Sequence, residues 1–179
     1  MSSGNRDGDA RNASEESICR WLLETKTEIL HVDGDSVEIG DTLVTICPWW
    51  DGDETRAEVE ALLTRDSARE KSQWVWIYRA PPAGSPVCWT GKNSGGDEFL
   101  TKWIAHFHPD LVLSGHIHNT SFYAQGAWID RLGKTWVFNP GRQTGPEPSH
   151  LILDFKEMTA RRVSIEEVLT RDLTCVSDA

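Results

Sequence analysis

The chain has 179 residues with 39% hydrophobic and 26% charged side chains, the make-up of an ordinary globular protein that can bury a core without staples. Its formal net charge of -10 argues against non-specific binding to nucleic acid or to an anionic membrane, since both are polyanions. No apolar run approaches the ~20 residues of a membrane span, and the polar N-terminus MSSGNRDGDARNASEES has no apolar signal-peptide centre, so the expected location is cytoplasmic.

Residues 1–13 carry Gly, Asn, Asp and Arg without a period and read as loop. Ser14 is a candidate N-cap, with Glu15 and Glu16 at the positive end of a helix that continues through Ile18, Trp21 and Leu22 to near Leu30. A hairpin follows: Ser36 to Ile39 alternates, Gly40-Asp41 turns, and Thr42 to Cys47 is rich in β-formers. Pro48-Trp49-Trp50-Asp51-Gly52 breaks the pattern, and Asp53 caps a second helix to about Glu70. Gln73 to Tyr78 is a short apolar run of the kind buried on both faces. The prolines of residues 79–86 exclude a ladder there. A third helix fits Gly96 to Phe107, and Asp110 to Ser114 is another buried strand. After Gly115 the texture turns antiparallel: Phe122 to Asp130 with Thr135 to Asn139, then His150 to Phe155 with Ala160 to Val163. From Ile165 a short helical piece and a polar end are expected. The order points to a layered α/β sandwich with mixed sheets.

The four cysteines, Cys19, Cys47, Cys88 and Cys175, form no CxxC pair and read as reduced thiols. The nine tryptophans read as core or pocket fillers.

Chemistry concentrates at four places. His116 and His118 stand two apart just past a strand, so either extended geometry turns both imidazoles to one side, where they suit a divalent transition metal, or they are two exposed loop histidines. Loops at the carboxyl ends of buried strands are where open α/β sheets place ligands. Asn5 offers a carbonyl oxygen to a cation, or forms a solvated turn. Arg79, at the tip of a strand running into Ala80-Pro81-Pro82, suits a phosphate oxygen, or is a surface arginine, and cannot ligate a metal. Asn139-Pro140-Gly141-Arg142, right after a strand, offers backbone N–H groups or a guanidinium to an anion, or is an ordinary turn.

These segments together resemble the calcineurin-like metallophosphoesterase family. Gly4-Asn5-Arg6-Asp7 resembles its GNHD motif, Tyr78-Arg79-Ala80-Pro81-Pro82 its strand-end His-x-Pro-Pro segment, Leu111 to His118 its GHxH motif, and Trp136 to Gly141 its closing NPG turn. The resemblance covers nearly the whole chain but only the later part of the family's domain. It implies phosphate-ester hydrolysis by a pair of divalent ions (Mn, Fe, Zn or Ni). It also implies metal-ligand roles for Asn5, His116 and His118, with Arg6 in the place of a catalytic histidine. Arg79 stands where the family has a histidine ligand, and with Arg142 is assigned to substrate binding. The DxH and GDxxD motifs would lie before Gly4, where three residues leave no room. The expectation is therefore a partial αββα-type domain over residues 1–170, lacking the first βαβ part, with a polar tail over 171–179. Such a chain would hold at most one metal weakly and be weak or inactive alone. Its ligand would be a phosphate-ester small molecule or phosphorylated substrate, with neither membrane nor nucleic acid as partner, and self-association could cover an exposed sheet edge. The alternative is a non-catalytic phosphate-ligand-binding or scaffold protein on the same fold.

Overall fold

In the structure, a computed structural model, residues 1–174 are described. Six strands build the main sheet: β3 (Ser36–Ile39), β4 (Thr42–Ile46), β5 (Gln73–Ile77), β6 (Leu111–Leu113), β7 (Ile129–Leu132) and β8 (Thr135–Phe138). Their order is β3-β4-β5-β6-β8-β7, with β4, β5, β6 and β8 mutually parallel and the two edge strands antiparallel to their neighbours. A three-stranded sheet of β9 (His150–Asp154), β10 (Thr159–Val163) and β11 (Val168–Asp172) lies against one face, in the order β11-β10-β9. Helices α2 (Asp53–Ser67) and α3 (Glu98–Phe107) cover the other. The protein is thus a mixed α/β sandwich, as its sequence predicts, with helix, sheet and sheet layers among the described residues.

The strand alternation decides which side chain meets which layer. In β5, Trp74 and Trp76 face the helices with Val59, Leu63, Leu100 and Ile104, while Val75 faces the small sheet with Leu111, Trp136, Phe138 and Ala160. Trp74, Trp76 and Phe107 meet edge to face, which suits the ring quadrupoles. No helix among the described residues is long and apolar enough to cross a membrane.

The first thirty residues depart from the predicted long helix. A small hairpin of β1 (Ala10–Arg11) and β2 (Ser17–Ile18) comes first, then a five-residue α1 (Arg20–Glu24). Asn12 Oδ1 accepts the Ser14 and Glu16 N–H groups at 3.0 and 2.9 Å, and Glu15 takes a left-handed φ of 61°, so the backbone turns where a helix would start. Asp9 Oδ1, not Ser14, receives the first N–H of α1, from Arg20 at 2.7 Å. Glu16 does sit at a helix N-terminus, but that of α2: it accepts the Glu54 and Thr55 N–H groups at 2.9 and 2.7 Å, and the Thr55 bond first of all holds its carboxyl below the usual range. The N-cap of α2 is Gly52 rather than Asp53. Residues 119–126 form tight turns instead of an extended strand, pinned by Thr120 Oγ1 donating to Pro86 O at 2.8 Å, and β7 starts only at Ile129. Residues 168–172 pair with β10 as a strand where a helical piece is predicted, carrying the small sheet past residue 170; of the expected tail, residues 175–179 lie outside the described residues, Cys175 among them.

Asp66, fully buried on α2, ties that helix to the sheet. Its Oδ2 accepts the Thr45 hydroxyl at 2.7 Å and the Ser36 hydroxyl, and its Oδ1 accepts Arg65 Nε at 3.0 Å. Burial opposes the charge, but the bonds from Ser36, Arg65 and Thr45 outweigh it and leave the carboxyl below the ordinary range. A depressed folded-state pKa contributes stability that is fully present above the unfolded value of ~3.9 and is lost as pH falls through the folded value. Asp66→Asn is expected to cost about 3 kcal/mol at pH 7. In urea melts the gap between wild type and variant should narrow below about pH 4; a gap that stays constant to pH 2 would contradict this.

Candidate active site

The parallel strands β4, β5, β6 and β8 deliver their carboxyl ends to one edge of the sheet, which brings Trp49, Arg79, His116 and Asn139 together. The N-terminal turn joins them. Asp7 closes that turn, its carboxylate accepting the Gly4 N–H at 2.9 Å and its own N–H donating to Gly4 O at 3.0 Å. Asn5 and Arg6 are left exposed at its tip.

Arg79 lies directly on Gly4. A Cβ at position 4 would come 2.3 Å from Arg79 Nε, so only glycine lets the guanidinium take this place. Arg79 Nη2 reaches Asn5 Oδ1 at 3.4 Å, and its Nε is buried with no partner. The residue read as a metal ligand, Asn5, therefore turns its amide oxygen toward a cationic side chain.

The Gly115-His116-Ile117-His118 segment is not extended. The Gly115 N–H donates to Arg79 O at 3.1 Å, the Ile117 N–H folds back on Gly115 O at 2.7 Å, and His116 takes a left-handed φ of 63°. Such a φ is uncommon outside glycine and is held here by its surroundings. The i, i+2 argument for two imidazoles on one side of a strand thus does not apply, although the two remain close enough to interact electrostatically. His116 is half-buried, its ring 6.2 Å from that of Trp49, while His118 is exposed.

Asn139 holds this segment in shape. It is 1% exposed, and its Nδ2 donates to Val87 O, Gly115 O and Ile117 O at 3.1, 3.1 and 3.0 Å. Its Oδ1 accepts the Gly141 N–H at 3.0 Å, and the Arg142 N–H donates to His118 O at 2.7 Å. The backbone donors read as free for an anion are therefore occupied. The Arg142 side chain is exposed beside the site.

The electrostatics are one-sided. Burial lowers the His116 pKa, and the positive charges of Arg79, His118 and Arg6 lower it further. His116 is thus held neutral at pH 7. Removing the charge that contributes most, with Arg79→Gln, should raise the His116 pKa, as followed by the ring-proton NMR shift. An unchanged titration would mean the guanidinium lies elsewhere in solution. An open cleft of about 430 Å³ adjoins, lined by Arg79, Ser114, Gly115, Pro140, Ser149 and His150. None of these brings a carboxylate.

A pair of divalent ions does not fit these residues. Among the described residues no three His, Cys, Asp or Glu side chains are grouped to hold a metal, and a guanidinium that is always protonated occupies the Asn5 side of the site. Two imidazoles and an amide bring no negative charge to offset a dication. What the residues do fit is an oxyanion: Arg79 presents fixed positive charge at the edge of the cleft, with an unspent proton on Nε, and Arg6 adds a second positive charge near His116.

The sequence alone gives no separate role to Gly4 or to the Asn139 amide; the strand-end position of Asn139 before Pro140 was the available signal. No protein-family model and no curated protein matches the chain. One solved crystal structure is similar over 87% of this chain and 59% of its own length, at 17% identity and a TM-score of 0.52. Another, TT1561 of Thermus thermophilus, is similar over 79% of this chain and 58% of its own length, at 15% identity and a TM-score of 0.43. The chain thus spans under two thirds of the length of either, and the first likeness is one of fold.

Proposed function

We propose that this chain is a phosphoesterase-type domain, similar to the calcineurin-like metallophosphoesterases, and that its own residues bind the phosphate group of a phosphate ester. The observation that carries the reading is the Arg79 guanidinium. It is set at the carboxyl end of β5, stacked on Gly4, with a buried Nε lacking a partner and a cleft beside it. In this reading Arg79 and Arg6 neutralise the phosphate oxygens and neutral His116 donates or accepts a single proton at their edge. Arg6 has no general-acid role, because its proton does not leave near neutral pH.

The test is isothermal titration with inorganic phosphate and with phenyl phosphate. Saturable binding by the wild type and at least tenfold weaker binding by Arg79→Gln are expected, about 1.4 kcal/mol. Binding that is the same in both would overturn the reading.

Hydrolysis is a second reading, favoured by one observation. His116 is kept as neutral imidazole, the form that ligates metals and takes protons. Turnover of p-nitrophenyl phosphate that needs added Mn²⁺ and is lost in His116→Ala would establish it. Binding without turnover is the result expected of the chain alone.

A further inference from the structure

A second cavity lies behind the site, on the far side of Ser3 and Trp49. It encloses about 460 Å³ between the N-terminal hairpin, α1 and α2. Small-molecule pockets run from ~300 to ~1,000 Å³ and are mostly apolar with a few placed polar groups. This one is walled by Ile18, Leu23, Pro48, Trp49, Ala61 and Leu62. The Trp49 backbone N–H donates to Ser3 Oγ at 2.9 Å, and its ring lies near-parallel to that of Trp50.

Two carboxylates are set into this apolar lining, Asp33 and Glu58. Asp33 Oδ1 accepts the Ser3 N–H at 2.8 Å, and neither Asp33 nor Glu58 forms an ion pair among the described residues. Arg65 also borders the cavity, but its guanidinium is committed to Asp66 at 3.0 Å and to the Ser36 hydroxyl at 2.5 Å. The Met1 ammonium lends Asp33 some positive field while donating to His31 O. Burial pushes the Asp33 carboxyl up in spite of its bonds from Ser3, and burial with the nearby Glu54 and Glu16 charges pushes Glu58 up, so the negative charge on this wall is not fully offset. Such a carboxylate gains most from a cation that reaches it in place of water.

We infer that this cavity is a ligand site distinct from the phosphate-binding edge, and that it takes a small molecule with an apolar body and a protonated amine, the body against Trp49 and Leu62 and the ammonium against Asp33. Charge selects among ligands of one shape: an ammonium pairs with Asp33, an alcohol of the same length keeps only the apolar contact, and a carboxylate is repelled.

The experiment titrates the full chain with 4-phenylbutylamine, 4-phenylbutanol and 4-phenylbutyrate at pH 7.5, read by tryptophan fluorescence and checked by calorimetry. The amine should bind at least tenfold more tightly than the alcohol, and the carboxylate not measurably. Asp33→Asn keeps an oxygen for the Ser3 N–H and should bring the amine down to the affinity of the alcohol. Ala61→Phe, at an exposed position on α2, narrows the cavity and should weaken both at least fivefold. Inorganic phosphate binding should be unchanged in both variants. Equal affinity for amine and alcohol in the wild type, an amine preference that survives Asp33→Asn, or no saturable binding of any of the three would each overturn the inference.

Discussion

Asn139→Ala is expected to destabilise the protein by about 3 kcal/mol or more, the largest loss from any single truncation at the site. The wild-type amide serves three carbonyls, on Val87, Gly115 and Ile117, and one N–H, on Gly141. It is 1% exposed, so its partners lie away from bulk water and lose a well-placed partner on truncation. Each buried polar group left unsatisfied costs about 1–3 kcal/mol, and local relaxation recovers part of the sum. Urea denaturation should show a lower midpoint at an unchanged slope, the sign of a stability loss rather than a changed unfolded state. Asn139→Asp makes the sharper comparison. It keeps the acceptor for Gly141 but aims carboxylate oxygens at three carbonyls, so it should be no better than alanine. If aspartate restores wild-type stability, the amide is not the clamp described here. Because Gly115 and Ile117 flank His116, both variants should also weaken phosphate binding, through a loosened loop rather than a lost contact.

The same residue marks where sequence reasoning stops. The strands and helices of the sandwich were legible because each carries a period that one backbone satisfies: alternation in residues 36–39, β-branched density in 42–46, apolar runs in 73–77 and 111–113, and helical spacing in 98–107. Where side chains bond to nearby backbone the period misleads. Asn12 and Asp9 capture N–H groups that a long N-terminal helix would have used. In β11 the side chains are mostly exposed, so no apolar pattern announces the strand; only pairing with β10 makes it one.

The site was half legible for a related reason. That His116, Arg79 and Asn139 sit at strand ends follows from local pattern, and parallel strands then bring them to one edge. Their roles depend on contacts between segments far apart in sequence. Gly4 is needed because Arg79 crosses it, and Asn139 points inward because the loop after β6 folds back on itself. The left-handed turn at His116 is invisible to an argument from extended spacing. Nothing local distinguishes an asparagine that waits for a metal from one that faces a guanidinium.

That distinction is the basis of the second large effect, expected for Arg79→Glu. The substitution replaces the half-buried, always-positive group by a carboxylate next to Asn5 and His116. Phosphate binding should fall at least 100-fold, about 2.7 kcal/mol, because a charge-assisted bond is lost and a like charge is gained. Burial and the charges of Arg6 and His118 still lower the His116 pKa, but the same change removes the Arg79 contribution and adds a negative charge, so His116 should titrate higher than in the wild type. It also completes a donor set the wild type lacks. Two imidazoles and one carboxylate are a common ligand set for first-row divalent metals. The variant is therefore expected to bind Zn²⁺ or Mn²⁺ in a calorimetric titration in which the wild type shows weaker binding or none. His116→Ala in the same background should abolish the gain. Loss of phosphate affinity without any gain in metal affinity would mean that His116 and His118 do not converge across the left-handed turn, leaving the anion site standing but not the metal corner. Gain of metal with phosphate affinity intact would place the phosphate away from Arg79 and remove the main support for the proposed function.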